Sequence, residues 1–315
     1  MLEKQAADGS FRELFSTVVD PCGREIDCLL LPTQGEVWTV FESGPPATKV
    51  DLLVLGDGYS IAEAERFKTD VERLTAVLFA TEPYRSHRGD FNVRALAVAS
   101  PESGITDPRA TGADGRPEGG VWHPSALGFA YNAFDSERYV LSYANRALRE
   151  IAAQAPYDAL LVLANSRKYS GGRIFNLWTM ATTNSGKAPY LVVHEFGHSF
   201  AGLADEYYTS QVAYETTNPP GSEPWEPNVT ALLDPASLKW KDLVEPGTPL
   251  PTLWEQARFD ELSLAYQKER QELRAAGAPE EEMEALFAKV KAATEPLLHG
   301  ELFWGWVGAF EGASY

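Results

Sequence analysis

His194, Glu195 and His198 are the residues of this chain whose types and spacing specify chemistry most directly. On a helix, side chains four apart project from one face, so both imidazoles can hold a single Zn²⁺. Glu195 follows the first histidine and is placed to take a proton from water activated beside such an ion. The chain has only 5 His in 315 residues, which makes this spacing rare by chance. Residues 190–193 (Tyr-Leu-Val-Val) lead apolar into the motif and residues 199–203 (Ser-Phe-Ala-Gly-Leu) lead apolar out, which predicts a half-buried helix. An amphipathic helix carrying two polar histidines is the competing reading; the motif with its flanks favours a zinc hydrolase centre.

A catalytic zinc takes three protein ligands and keeps one position open. His87, His123 and His299 lie in loop-like sequence far from the motif and read as surface histidines. Asp205 is the stronger candidate. In the metzincin pattern His-Glu-x-x-His-x-x-Gly-x-x-His, a glycine turns the chain after the helix and the third ligand follows three residues later. Gly202 and Asp205 keep that interval, with one extra residue between His198 and the glycine. Aspartate is an acceptable zinc ligand in place of histidine. Glu206 is the neighbouring alternative, and an arrangement that recruits a more distant glutamate could use Glu215, Glu223 or Glu226.

The elements that must position these residues follow from apolar periodicity. Residues 15–19, 26–31 and 37–41 read as short β segments of an N-terminal stretch, 1–47, which ends at the Ser-Gly-Pro-Pro of 43–46. A domain over 48–315 then begins with a buried strand at 50–55, ending at Gly56-Asp57-Gly58. A helix at 61–79 follows, then a strand at 91–98, a helix at 136–153 and a strand at 158–163. Residues 170–172 read as a flexible turn before an edge-like strand at 174–181. The motif helix runs from about 188 to 203. Strands alternating with helices predict an α/β domain with a largely parallel sheet. Residues 254–297 form two charged helical stretches separated by Gly277-Ala278-Pro279, an expected antiparallel hairpin whose charge reads as a solvated face.

Composition narrows the function classes. With 44% hydrophobic residues and 8 Trp the chain is globular. A net charge of −18 without a basic patch disfavours nucleic acid as a partner. No apolar run approaches a membrane-spanning length, and the first residues lack the pattern of a signal peptide. Cys22 and Cys28 make neither a zinc ribbon nor a disulfide framework; a bridge and two free thiols are both open. Gly56-Asp57-Gly58 lacks a full phosphate-binding fingerprint, and Asp57 is expected to cap the next helix or support the sheet edge. Glu102, Asp107 and Asp114 have no ion-loop spacing and read as a solvated acidic loop.

The chain resembles the M64 metallopeptidases, a family named for an immunoglobulin A peptidase. The resemblance is carried by His194-Glu195-Phe196-Gly197-His198-Ser199 with Leu203-Ala204-Asp205-Glu206-Tyr207. Upstream it takes in Leu55-Gly56-Asp57-Gly58-Tyr59 with Phe67, Phe91-Asn92-Val93, Ser100-Pro101-Glu102-Ser103-Gly104, and Asn165 with Tyr169, Gly171 and Gly172. Downstream it takes in Trp225-Glu226-Pro227-Asn228, Lys239-Trp240 and Phe310-Glu311-Gly312-Ala313, so it covers roughly 50–315. It implies a zincin of metzincin type: an α/β catalytic domain with a mixed, largely parallel sheet, an active-site helix and zinc as cofactor. It also implies a peptide or protein substrate and a secreted or cell-surface setting in bacteria. Two departures stand out. The helical pair at 254–297 resembles an insertion, and the methionine-bearing segment that follows in the family is expected beyond Tyr315, the last methionine here being Met283.

The expected reaction is peptide hydrolysis, with His194, His198 and Asp205 on the metal and Glu195 as general base. Tyr207 or Tyr208 could donate to the oxyanion, with simple packing as the alternative. Residues 169–173 could pair with an extended substrate by strand addition. Two other functions compete: a zinc amidase acting on a small or cell-wall substrate, and a binding or adhesion module with a degenerate site.

Overall fold

The computed structural model describes residues 35–110, 120–136, 139–206, 222–250 and 255–298, together with the backbone of 2–5 and 11–15. The chain divides into two units, Met1–Thr33 and Gln34–Tyr315. In the first, β1 (Leu2–Gln5) and β2 (Phe11–Phe15) form an antiparallel pair with Gln5 opposite Phe11. The strand expected at 26–31 lies outside the described residues, as do Cys22 and Cys28.

The second unit is built on a six-stranded sheet. In chain order its strands are β3 (Glu36–Phe41), β4 (Val50–Asp57), β5 (Phe91–Ala97), β8 (Ala159–Ala164), β9 (Gly171–Ile174) and β10 (Trp178–Thr182). A separate short ladder joins β6 (Phe129–Ala130) to β7 (Leu141–Ser142). The order across the sheet is β3-β5-β4-β8-β10-β9. The inner four run parallel, and both edge strands, β3 and β9, pair antiparallel with their neighbours. Residues 37–41, read from the sequence with the N-terminal stretch, belong to this sheet through β3.

Strand alternation sorts the core into two layers. Leu52 and Val54 of β4, Val93 and Ala95 of β5, and Leu161 and Leu163 of β8 face one side. There they pack against α1 (Ala64–Leu78) and α3 (Ala188–Ala201) through Phe67, Leu74, Leu191, Val192 and Phe196. Leu53, Leu55, Leu160 and Val162 face the other side, with Trp178, Met180 and Leu148 and Ile151 of α2 (Asn145–Ala152). Inner strands covered on both faces are largely apolar, which is why 50–55 read from the sequence as a buried strand and 158–163 as a strand.

Four expectations need correction. The helix expected at 136–153 is confined to α2. Leu141 and Ser142 instead pair with Ala130 and Phe129, and the Ser142 hydroxyl donates to the Leu127 carbonyl and accepts the Ala144 N–H. A serine that satisfies the backbone in this way competes with helix formation. The strand expected at 174–181 is a hairpin, β9 turning into β10 through Asn176 at φ 57°. The glycines expected to form a flexible turn are themselves in the edge strand. Asp57 caps no helix. Ser60 and Glu63 form the capping box at that helical start, while Asp57 accepts from the Ser125 hydroxyl and the Leu127 and Phe129 N–H groups.

The charged hairpin is present as α4 (Gln256–Ala275) and α5 (Glu280–Leu298). Tyr266 meets Phe287 edge-on, and Arg274 pairs with Glu280 at 2.5 Å near the turn. No helix among the described residues is long and apolar enough to cross a membrane.

Candidate metal centre

Helix α3 carries the motif with Glu195 and His198 buried and His194 partly exposed. Phe196 is fully buried and stacks on Phe200 at 5.0 Å, while Tyr84 and Phe91 pack around the pair. This aromatic anchor fixes the helix rotation and turns His194 and His198 toward the edge strand. Gly202 then ends the helix at φ +65°, a left-handed cap that favours glycine, with its N–H donating to the His198 carbonyl. A side chain here would also strike the rings of Trp225 and Phe175, 2.9 and 3.0 Å from a Cβ.

Past that turn the chain is gripped by Asn228, whose amide accepts the Ala204 N–H at 2.8 Å and donates to the Ala204 carbonyl at 3.0 Å. The grip delivers Asp205 to the histidines. Its Oδ1 lies 3.2 Å from His194 Nε2 and 2.9 Å from His198 Nε2, and the two Nε2 atoms are 3.2 Å apart. His198 Nδ1 donates to the Leu203 carbonyl, which can only accept, so the His198 Nε2 lone pair faces the centre. Tyr190 stacks on His194, with its hydroxyl 3.3 Å from His194 Nδ1; burial, with Asp205 and Glu195 adding, pushes that hydroxyl up to about 12.

Asp205 Oδ1 is buried and has no hydrogen-bond partner although two imidazole nitrogens adjoin it. Such a cluster of electron-pair donors requires a shared cation or a proton on an imidazole. Burial opposes ionisation of Asp205, but the adjoining imidazoles of His194 and His198 and the charge of Arg173 outweigh it, holding the carboxyl well below the usual range. Two imidazole nitrogens and one carboxylate oxygen, all within 4.8 Å of one another, fit a divalent metal of zinc's ligand preference.

Glu195 is 6% exposed and sits beside this cluster. Arg173 on β9 reaches both carboxylates, donating to Asp205 Oδ2 at 2.8 Å and to Glu195 Oε2 at 3.4 Å. Gly171 on the same strand lets β9 approach closely: a Cβ there would lie 2.2 Å from Glu195 Oε1 and 2.7 Å from its Cδ. Gly171→Ala should therefore displace the Glu195 carboxylate. The expected result is hydrolysis lowered by about a hundredfold with unchanged metal content; undiminished turnover would show that the displacement does not matter.

The other candidates from the sequence lie elsewhere. Glu206 accepts from Asn228 at 2.9 Å, Glu223 accepts from the Thr230 hydroxyl, and the Glu226 carbonyl accepts from Lys239. Neither Glu223 nor Glu226 joins the cluster. His87 pairs with Asp90 and His123 with Glu102. Asp107 binds Lys168 at 2.8 Å. Glu215, Asp114, His299, Tyr207 and Tyr208 lie outside the described residues.

Sequence reading missed Arg173, Asn228 and the role of the hairpin. Phe259, Ser263, Tyr266 and Arg270 of α4 recur every three or four residues and line the cleft that holds His194 and Glu195. Met283, Phe287, Val290 and Thr294 of α5 do the same. The charged pair is thus more than a solvated face. The signal was present as this period, hidden among the charges that fill the outer positions.

Fold and site together describe a mixed α/β domain whose motif helix, edge strand and following turn assemble a His-His-carboxylate cluster beside a buried glutamate. Residues 39–315 match the family described as IgA Peptidase M64, and the chain belongs to that family of peptidases. No curated protein matches the chain.

Proposed function

We propose that this protein is a zinc-dependent endopeptidase that hydrolyses peptide bonds of protein substrates, with His194, His198 and Asp205 as metal ligands and Glu195 as general base. The observation that carries this reading is the convergence of the three ligand atoms beside the Glu195 carboxylate, in a cleft bordered by an edge strand. When bound, zinc supplies Lewis acidity, which makes water nucleophilic near neutral pH and polarises a carbonyl.

The protein's own groups do the rest. Glu195 accepts the proton of the attacking water and delivers it to the leaving amine. Arg173, bonded to Glu195 and Asp205, holds the two carboxylates in register. Leu203 and Tyr190 orient the two imidazoles through their Nδ1 atoms. β9 ends the sheet among the described residues, so an extended peptide can add to it as a further strand, its scissile carbonyl brought toward His194 and Glu195.

Chelation tests the metal dependence. Hydrolysis of an unfolded protein should vanish after dialysis against a chelator and return when zinc is added back. Full activity in the chelated protein would overturn the proposal.

A further inference from the structure

The cleft beside Glu195 has a volume of about 660 Å³, and α4 and α5 supply one of its walls. The hairpin is docked where the motif helix begins. Glu284 of α5 accepts the Gly186 N–H at 2.7 Å and the Ser185 hydroxyl at 3.1 Å, and a side chain at Gly186 would meet that carboxylate at 2.9 Å. Beside this joint, Lys187 lays its ammonium over the Phe287 ring, 3.9 Å from the centroid.

The charge of the cleft runs against that of the chain. The whole sequence carries 27 Lys and Arg against 45 Asp and Glu. Among the described residues lining the cleft, Lys and Arg outnumber Asp and Glu by five to three. Each of the three glutamates is already engaged: Glu195 by Arg173, Glu280 by Arg274, and Glu284 by Ser185 and Gly186. Lys187 covers the Phe287 ring, and Lys291, one helical turn on from Phe287, lines the same cleft. Burial holds the Lys187 ammonium below its usual range; the Glu284 carboxylate opposes this, and the like charge of Lys291 adds a smaller push in the same direction as burial. Lys187 is half-buried and Lys291 exposed, and an incoming anion would relieve the repulsion between these like charges.

We propose that the α4–α5 hairpin is the specificity wall of the cleft, and that Lys187 and Lys291 select peptides carrying an acidic side chain. This inference rests on the peptidase reading above, since it names the substrate class of the same site. The side chain selected would enter the cleft beside Phe287, whose ring Lys187 already covers, and bring its carboxylate to the two ammonium groups.

The test uses three pools of otherwise identical short peptides that carry Glu, Gln or Lys at one position, scanned along the peptide. Binding to the Glu195→Gln protein is read by fluorescence anisotropy, and cleavage is read with the native protein. At one position the Glu pool should bind about fivefold more tightly than the Gln pool at low salt, with the preference shrinking at high salt. Lys291→Glu should reverse the order of the Glu and Lys pools. If that variant does not fold, Lys291→Gln must abolish the preference. Equal binding of the three pools, or an order that survives loss of the Lys291 charge, would overturn the inference. Native hydrolysis without a charge preference removes this inference alone. Charge-selective binding without hydrolysis supports it and removes the peptidase reading.

Discussion

Glu195→Gln should lower hydrolysis by at least about a hundredfold while the metal stays bound. Glutamine keeps the length and hydrogen-bonding outline of glutamate but cannot accept a proton at neutral pH. The variant therefore isolates the base from the scaffold. General acid–base catalysis contributes about a hundredfold to ten-thousandfold, and the expected loss falls in that range. Arg173 still has Asp205 to bind at 2.8 Å, so its guanidinium keeps a carboxylate partner when Glu195 is neutralised. Side-by-side rates on one peptide pool measure the effect. Native-like turnover by the variant would remove Glu195 from the mechanism.

His198→Ala should have the opposite signature, loss of the metal itself. His198 is 5% exposed and its ring is fixed by the Leu203 carbonyl, so its removal leaves His194 and Asp205 alone, one ligand short of a three-ligand zinc site. Losing a supporting partner of a ligand typically costs about 10- to 100-fold in metal affinity; losing the ligand should cost more. Asp205→Ala should follow the same direction, because it removes the one carboxylate oxygen in contact with both imidazoles. Zinc titration against a competing chelator reads both variants. An unchanged affinity in His198→Ala would mean that the ion binds elsewhere.

The site was legible in the sequence where its geometry is local. Two histidines four apart on one helix, and a glycine that must turn the chain three residues before Asp205, are settled by helix periodicity and by the left-handed cap at Gly202. The inner strands were legible because burial on both faces leaves continuous apolar runs such as Leu52-Leu53-Val54-Leu55.

What the sequence hid depends on distant partners. Arg173 is 22 residues from Glu195 and 32 from Asp205, and nothing near it in the chain marks it as their shared partner. Gly171 and Gly172 resembled a loose turn, yet Gly171 is needed because β9 passes against the Glu195 carboxylate. The stretch before α2 had helical spacing, but the Ser142 hydroxyl and the short ladder with Phe129 and Ala130 redirected its backbone. The hairpin showed its helices plainly and its purpose poorly, since its cleft-facing stripe mixes aromatic, aliphatic, polar and charged residues.

The most direct test of the central claim is zinc per chain, measured by elemental analysis on native, Glu195→Gln and His198→Ala proteins purified without chelator. The proposal requires one zinc per chain in the first two and none in the third. Zinc retained in His198→Ala, or absent from folded native protein, would contradict it.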